Sequence, residues 1–437
     1  MGNLYWKFHG IFEDIYYYVT ALPRFILYWG EKSPLNLYTF VKWNIKKYPN
    51  ENAFLFKEEV LTWKQASDKI DNYSGVIRSL GLNKGDSFAL LMDNRIEYLL
   101  LILAAVKSGT IAALINTTVR GEGLRHVLNV ANAKAVFIGA SHLDKFNSSL
   151  TDEERGNLII VGIEDQEQVP SNIQDLTNLE KNSTPCDEET TTFKEACMYM
   201  YTSGTTGLPK AALITNERAV RMTYFGQFLG FNFKQSDVLY NTLPLYHATG
   251  LLYCWAASLR AGNAIVIKEK FSASDFWSDI QKYQATIFPY VGELCRYLLN
   301  SKEVPEEKGH KIRRISGNGL RPDIWEKFQE RFQIPGLPAR HRQHRRHHLQ
   351  DAVGSTRGRP ALSGHGWLLV RRGGLPPTMQ SQPGQHHRRQ VPDHAAAVRL
   401  QTRTCLSSRA HSWHCRQGRT GLVQHRQADA GFAVLVH

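Results

Sequence analysis

The fold turns on ACMYMYTSGTTGLPK, residues 196–210. ACMYMY has the length and composition of a buried strand, and it runs straight into a loop of hydroxyls and glycines. Gly204 and Gly207 let backbone N–H groups turn inward, Ser203, Thr205 and Thr206 offer hydroxyls, and Lys210 offers a cation. Amides lining a concave turn bind anionic oxygens, and the strand fixes one end of that turn rigidly. The ligand this implies is a polyphosphate. The loop is not a Walker A motif, because Ala211 follows Lys210 and the glycine spacing differs. A merely flexible Ser/Thr-rich turn does not explain this order of residues after a buried strand.

Upstream of the loop the chain alternates strand and helix. Thr62 with Gln65 predicts a capping box, opening a helix whose apolar stripe is Trp63, Ala66, Ile70, Tyr73, Ile77 and Leu80 and which closes at Gly81. SFALLM (87–92) reads as a strand, YLLLILAAVK as a helix, TIAALI (110–115) as a strand, GLRHVLNVANA as a helix and AKAVFIG (133–139) as a strand. The polar stretch from about Asp152 to Glu195 reads as loops before the sheet resumes. Downstream the rhythm continues through NAIVIKE, ATIFPYV and KIRRISGNG to the helix RPDIWEKFQERF, with Pro322 near its first turn. Short apolar runs between amphipathic helices predict an α/β fold of doubly wound, mostly parallel sheets.

The rhythm stops at about residue 335. Residues 336–437 contain no Lys, Tyr, Ile, Asn or Glu, 12 of the 17 histidines, 16 arginines and only three acids, Asp351, Asp393 and Asp429. The remaining 37 basic and 37 acidic residues balance, so the formal charge of +13 belongs to this tail, and the overall charge is no argument for a nucleic-acid partner. HRQHRRHH invites two readings, a nucleic-acid arm or a metal site on His341, His344, His347 and His348, but no fold or interleaved aromatics accompany it. A third reading, coding sequence read in a shifted frame, accounts at once for the lost periodicity, the missing residue types and the charge step. On that reading the tail is unstructured, and trypsin is expected to remove residues beyond about Arg340 well before it cuts the body. A protease-resistant tail would overturn this.

At the other end, Phe8, Phe12, Ile15, Val19 and Leu22 fall at helical spacing among tyrosines and tryptophans. The segment reads as an amphipathic helix, either at a membrane interface or packed on the body. The expected division is thus an aromatic segment over 1–44, the body over 45–335 and the tail over 336–437. The longest apolar run, Tyr98 to Val106, is far short of the ~20 residues of a spanning helix. The six cysteines show no C-x-x-C spacing and predict no disulfide framework, so a reducing compartment is expected.

YTSGTTGLPK resembles the phosphate-binding signature of the adenylate-forming superfamily. LPLYHATG (243–250), KFSASDFW (270–277), YVGELCRYLL (290–299) and GNGLRPDIW (317–325) resemble the fatty acid transport protein and very-long-chain acyl-CoA synthetase branch more closely than coumarate ligases or luciferases. The resemblance implies ATP, Mg2+ and coenzyme A as reactants or cofactors. A fatty carboxylate attacks the α-phosphorus of ATP, and the coenzyme A thiol then displaces AMP. It implies that Tyr201, Thr202, Ser203, Gly204, Thr205, Thr206, Gly207 and Lys210 hold the phosphates, Lys210 also acting in catalysis. By the same token His247 lies beside the carboxylate and α-phosphate, and Gly317, Asn318 and Gly319 line the adenine. Its alternative is a hydrogen-bonded histidine at a strand end. Tyr290, Gly292 and Leu294 border the acyl tunnel or simply fill the core. No metal-ligating residue is assigned, a membrane surface is the implied partner beside the fatty acid, and the oligomeric state is left open. The implied location is intracellular and membrane-associated, at the plasma membrane, endoplasmic reticulum, lipid droplet or peroxisome.

Family members continue with a strand and turn of the type E-F-Y-x-A-T-E-G, whose glutamate helps hold magnesium, then a G-D-L aspartate for the ribose, an R-x-G-D-x-F-R-W-K-G-E-N hinge and a small closing domain. None of these is recognisable in residues 336–437. The chain as written is therefore expected not to activate fatty acids. A non-catalytic fatty-acid- or nucleotide-binding remnant at a membrane is the second class of function, and an Arg/His-rich nucleic-acid binder a weak third.

Overall fold

The computed structural model describes residues 33–165, 167–202 and 207–334. The expected aromatic helix of the first 32 residues, the 336–437 tail, and Ser203, Gly204, Thr205 and Thr206 lie outside the described residues.

Local signals build the first half. Helix α1 (Leu37–Lys47) starts at Asn36, whose side chain accepts the Thr39 N–H while Thr39 returns the bond, and it buries Leu37, Phe40 and Val41. It runs through position 44, so the packed body begins earlier than position 45. A hairpin of β1 (Asn52–Phe56) and β2 (Glu59–Thr62) leads into α2 (Trp63–Ser79). Its Thr62–Gln65 capping box is formed, and Trp63, Ala66, Ile70, Tyr73 and Ile77 are buried as their spacing requires. Then follow β3 (Ser87–Leu91), α3 (Ile96–Ser108), β4 (Ile111–Leu114), α4 (Gly121–Ala131), β5 (Ala133–Gly139) and α5 (Leu143–Ser149).

The stretch 152–195 corrects the expectation of loops alone. It holds a short α6 (Asp152–Gly156), strand β6 (Ile159–Ile163), a two-residue β7 (Gln174–Asp175) and α7 (Leu176–Asn182). Strand β6 pairs in parallel with β5 and extends the sheet.

Strand β8 (Ala196–Thr202) and β9 (Lys210–Thr215) flank the glycine-rich loop and are followed by α8 (Asn216–Tyr224). Next come β10 (Val238–Asn241), α9 (Ala256–Ala261), β11 (Ala264–Ile267), α10 (Phe276–Lys282), β12 (Ile287–Val291), α11 (Gly292–Asn300), β13 (Arg314–Asn318) and α12 (Pro322–Phe332).

The strands form two sheets. One has the order β7-β6-β5-β3-β4-β8-β9 and the other β13-β12-β10-β11-β1-β2. Every pairing is parallel except β8 with β9 and β1 with β2. Side chains alternate across a strand, so each strand's odd and even residues enter different cores. Phe88, Leu90, Phe137, Met198 and Met200 share the central core with α1, α2, α3 and α9, and with Phe54, Leu239 and Ile265 of the second sheet. Ala89, Leu91, Val136 and Ile138 face outward onto α4 and α5. On the second sheet Tyr240, Val266, Phe288, Tyr290 and Ile315 pack against α10, α11 and α12. The layers therefore run helix, sheet, helix, sheet, helix, and α3, covered on both sides, is apolar almost all round. That accounts for the Tyr98–Val106 run. Among the described residues no helix is long and apolar enough to cross a membrane.

Candidate functional site

Ligands of open parallel sheets bind outside the carboxyl ends of the strands. Here the carboxyl end of β8 leads into the glycine-rich loop, and the loop closes as a hairpin, with Thr202 paired to Lys210 across the first rung. Both residues are exposed. Gly207 has φ of 99°, a backbone conformation that a side chain would strain. A ring nitrogen of His126, on α4, lies 3.1 Å from the Pro209 carbonyl and ties the loop's far side to that helix.

Tyr201 is only 9% exposed, and its hydroxyl donates to the Val127 carbonyl at 2.9 Å, so its side chain anchors α4 to the sheet. The period of two was the available signal. Tyr199 and Tyr201 point to the outer core, Met198 and Met200 to the central one.

His247 sits in the loop that leaves β10. The loop closes on itself through His247 N–H to Pro244 O (3.2 Å) and Leu251 N–H to His247 O (3.0 Å). The residue keeps an exposed surface, yet the protein around its imidazole disfavours the cation and lowers its pKa below the usual histidine value. Among the described residues no side-chain hydrogen bond links His247 to a strand end, and its ring centroid lies 4.6 Å from that of Tyr246. Asn94, which follows β3, donates to Leu243 O and accepts the Leu245 N–H of this loop. Since β3, β4 and β8 run parallel as neighbours, the His247 loop and the glycine-rich loop share the same end of the seven-stranded sheet.

Gly317 and Asn318 end β13, and Gly319 follows with φ of 73°. A Cβ on Gly317 would lie 1.8 Å from the Tyr290 carbonyl oxygen, and one on Gly292 would lie 1.9 Å from that of Gly319. Two strand-to-helix turns thus pack backbone against backbone, and the small residues are required whether or not a purine is bound. Tyr290 is fully buried and Leu294 is 3% exposed within the second sheet's core, so of their two readings the core role is the one the packing supports.

Two π-helical turns, Phe225–Phe231 and Thr249–Trp255, flank this region. Such wide turns recur at functional sites. They meet at Tyr253, whose hydroxyl is 2.6 Å from Ser316 Oγ, next to Gly317. Gly226 and Gly230 make room for it, since a Cβ would come within 2.2 Å of the Tyr253 carbonyl and 2.3 Å of its hydroxyl. Sequence reasoning missed this contact and also two asparagines, Asn94 and Asn241, that hold the His247 loop, because their partners are backbone groups with no sequence signature. Among the described residues no group of three or more His, Cys, Asp or Glu side chains is placed to hold a metal ion.

Residues 41–338 match the AMP-binding enzyme family, and the chain belongs to it. It is 34% identical over 295 residues to human long-chain fatty acid transport protein 6, covering 66% of this chain and 46% of that protein. It is also 34% identical over 289 residues to the medium/long-chain-fatty-acid–CoA ligase FadD6 of Mycobacterium tuberculosis, covering 66% and 47%. The chain spans about half the length of the curated relatives it matches. Among solved structures, the anthranilate CoA ligase AuaEII in complex with anthranoyl-AMP superposes with a TM-score of 0.62 at 21% identity, over 69% of this chain and 59% of that one. The long-chain-fatty-acid-CoA ligase FadD1 of Archaeoglobus fulgidus gives 0.61 at 17% identity, over 70% and 63%. These likenesses establish the fold of the adenylate-forming amino-terminal domain.

Proposed function

We propose that the body is the nucleotide- and acyl-binding half of a long- or very-long-chain fatty acyl-CoA synthetase, and that the chain as written binds ATP without turning it over. The carrying observation is the hairpin that pins both ends of TSGTTGLP at the carboxyl edge of a parallel sheet. In that frame Thr202, Ser203, Gly204, Thr205, Thr206, Gly207 and Lys210 contact the β- and γ-phosphates, Lys210 as a point charge. His247, whose cation the surrounding protein disfavours, donates one N–H toward the carboxylate and α-phosphate. Gly317, Asn318 and Gly319 lie along the adenine. A fatty acid is the substrate, with coenzyme A as acceptor. Magnesium, when bound with ATP, would neutralise phosphate charge, but the described residues offer it no carboxylate cluster, and the steps assigned to this chain stop at binding and orientation. A membrane surface as the source of the fatty acid, with the locations given above, belongs to the same proposal.

The test is ATP binding by the 437-residue chain. Each of Thr205→Ala and Lys210→Ala removes a donor or a charge worth on the order of 1–3 kcal/mol, so the pair is expected to weaken binding by at least about 30-fold. Unchanged affinity in the folded double variant would refute the phosphate assignment.

A further inference from the structure

Asn94 belongs to none of the motifs above, and it lies at the end of β3 in the seven-stranded sheet. We propose that Asn94 is a positioning residue for His247, its carboxamide tying the loop that carries the histidine to the opposite sheet. The proposal rests on the role given to His247 above.

The side chain is 6% exposed and makes three hydrogen bonds, all to backbone of the six-stranded sheet's loops. Its Nδ2 donates to Leu243 O at 2.9 Å and to Lys268 O at 3.0 Å, and its Oδ1 accepts the Leu245 N–H at 2.8 Å. Both donors of the amide and one acceptor are thus used. Leu243 and Leu245 belong to the loop after β10, four and two residues short of His247, and Lys268 follows β11. One buried side chain therefore fixes how the carboxyl ends of two sheets meet.

The loop's internal bonds serve a different purpose. Asn241 accepts the Leu243 N–H and donates to Gly250 O, both at 3.2 Å, and Gly250 sits so close that a Cβ would fall 2.5 Å from Pro244 O. These contacts set the loop's shape but not its place relative to the glycine-rich loop on the other sheet. A further link crosses between the sheets where Asp93 lies 3.4 Å from Lys270, whose side chain is 73% exposed. An exposed ion pair contributes little, whereas a buried amide making three hydrogen bonds is costly to disturb. Asn94 is the stronger tether. A displacement of about 1 Å in a reacting group can cost about 10²-fold in rate, so a tether acts on function through geometry.

The experiment follows the His247 imidazole in the 437-residue chain by histidine-selective NMR, its resonance assigned by its loss in His247→Asn. Asn94→Ala removes the amide, and Asn94→Leu keeps its bulk without its hydrogen bonds. Both are expected to loosen the loop and move the His247 titration midpoint upward, toward that of a free imidazole. A purely structural Asn94 would lower the melting temperature and leave the His247 midpoint in place; that result in the folded variants overturns the proposal. If neither variant folds, the wild-type Leu245 amide decides: protection like that of Phe88 and Leu90 supports the tether, and exchange at the rate of an exposed loop overturns it. A His247→Asn chain that binds ATP and oleate like the wild type would refute the role given to His247, an outcome read separately from the tether.

Discussion

With oleate and ATP, the 437-residue chain is expected to release pyrophosphate at least about a thousandfold more slowly than a chain translated from the same DNA with the frame restored after codon 335. The body supplies the glycine-rich loop and the His247 loop at one end of the seven-stranded sheet, along with a glycine-lined turn on the second. In enzymes of this family type, however, charge builds on phosphate oxygens as pyrophosphate leaves, and stabilising it takes all its donors and the metal together. Groups that act as a unit fail as a unit, so the loss of one recovers little of the rate from the others. The family's magnesium glutamate, ribose aspartate and closing hinge are not recognisable in residues 336–437, whose text is Arg, His, Gln, Gly and Pro without either structural period. Among the described residues β13 is an edge strand of its sheet. An unpaired parallel edge is a template for association, so the restored chain is also expected to be the more soluble of the two. Comparable turnover by both chains would overturn the assignment of chemistry to the missing motifs, while ATP binding tests the body on its own.

What the sequence disclosed is what local chemistry determines. The Thr62–Gln65 box lies within four residues, and the structure forms it. The strand AKAVFIG carries its own apolar run and pairs in parallel on both sides. Strand β6 was hidden because Ile159–Ile163 lies inside a polar segment and holds Gly162, which reads as a breaker. Its reason is tertiary, since a Cβ there would lie 2.5 Å from Val169 Cγ1. The site divides in the same way. The glycine-rich loop is continuous and was legible, whereas the side-chain bond from Tyr201 to α4 is tertiary and shows in the sequence only as the strand's period of two. Asn94 was not legible at all. Its partners are carbonyls and an amide 149 to 174 residues away, and a backbone group looks the same in every sequence.

Gly317→Val is expected to destabilise the body by about 4 kcal/mol, even in the absence of any nucleotide. Gly317 faces Tyr290 across the parallel β12–β13 rung, and its missing Cβ would fall 1.8 Å from the Tyr290 carbonyl oxygen and 2.9 Å from the ring. The obstructing atom is backbone in a neighbouring strand, so no rotamer change relieves the contact. The strands must part. Overpacking costs about 1–3 kcal/mol where side chains can move, and parting the rung adds about 1 kcal/mol for a ladder hydrogen bond. The neighbouring turn compounds this, because Gly292 and Gly319 approach just as closely and cannot follow a shift of β13. Urea unfolding of the 437-residue chain, read by tryptophan fluorescence, measures the effect, with Gly309→Ala as a control where a Cβ meets nothing within 4 Å and only its φ of 72° is strained. Gly317→Val with stability near that of the wild type but with weakened ATP binding would reverse the conclusion. The glycine would then be there for the purine, and the close approach to Tyr290 would be incidental.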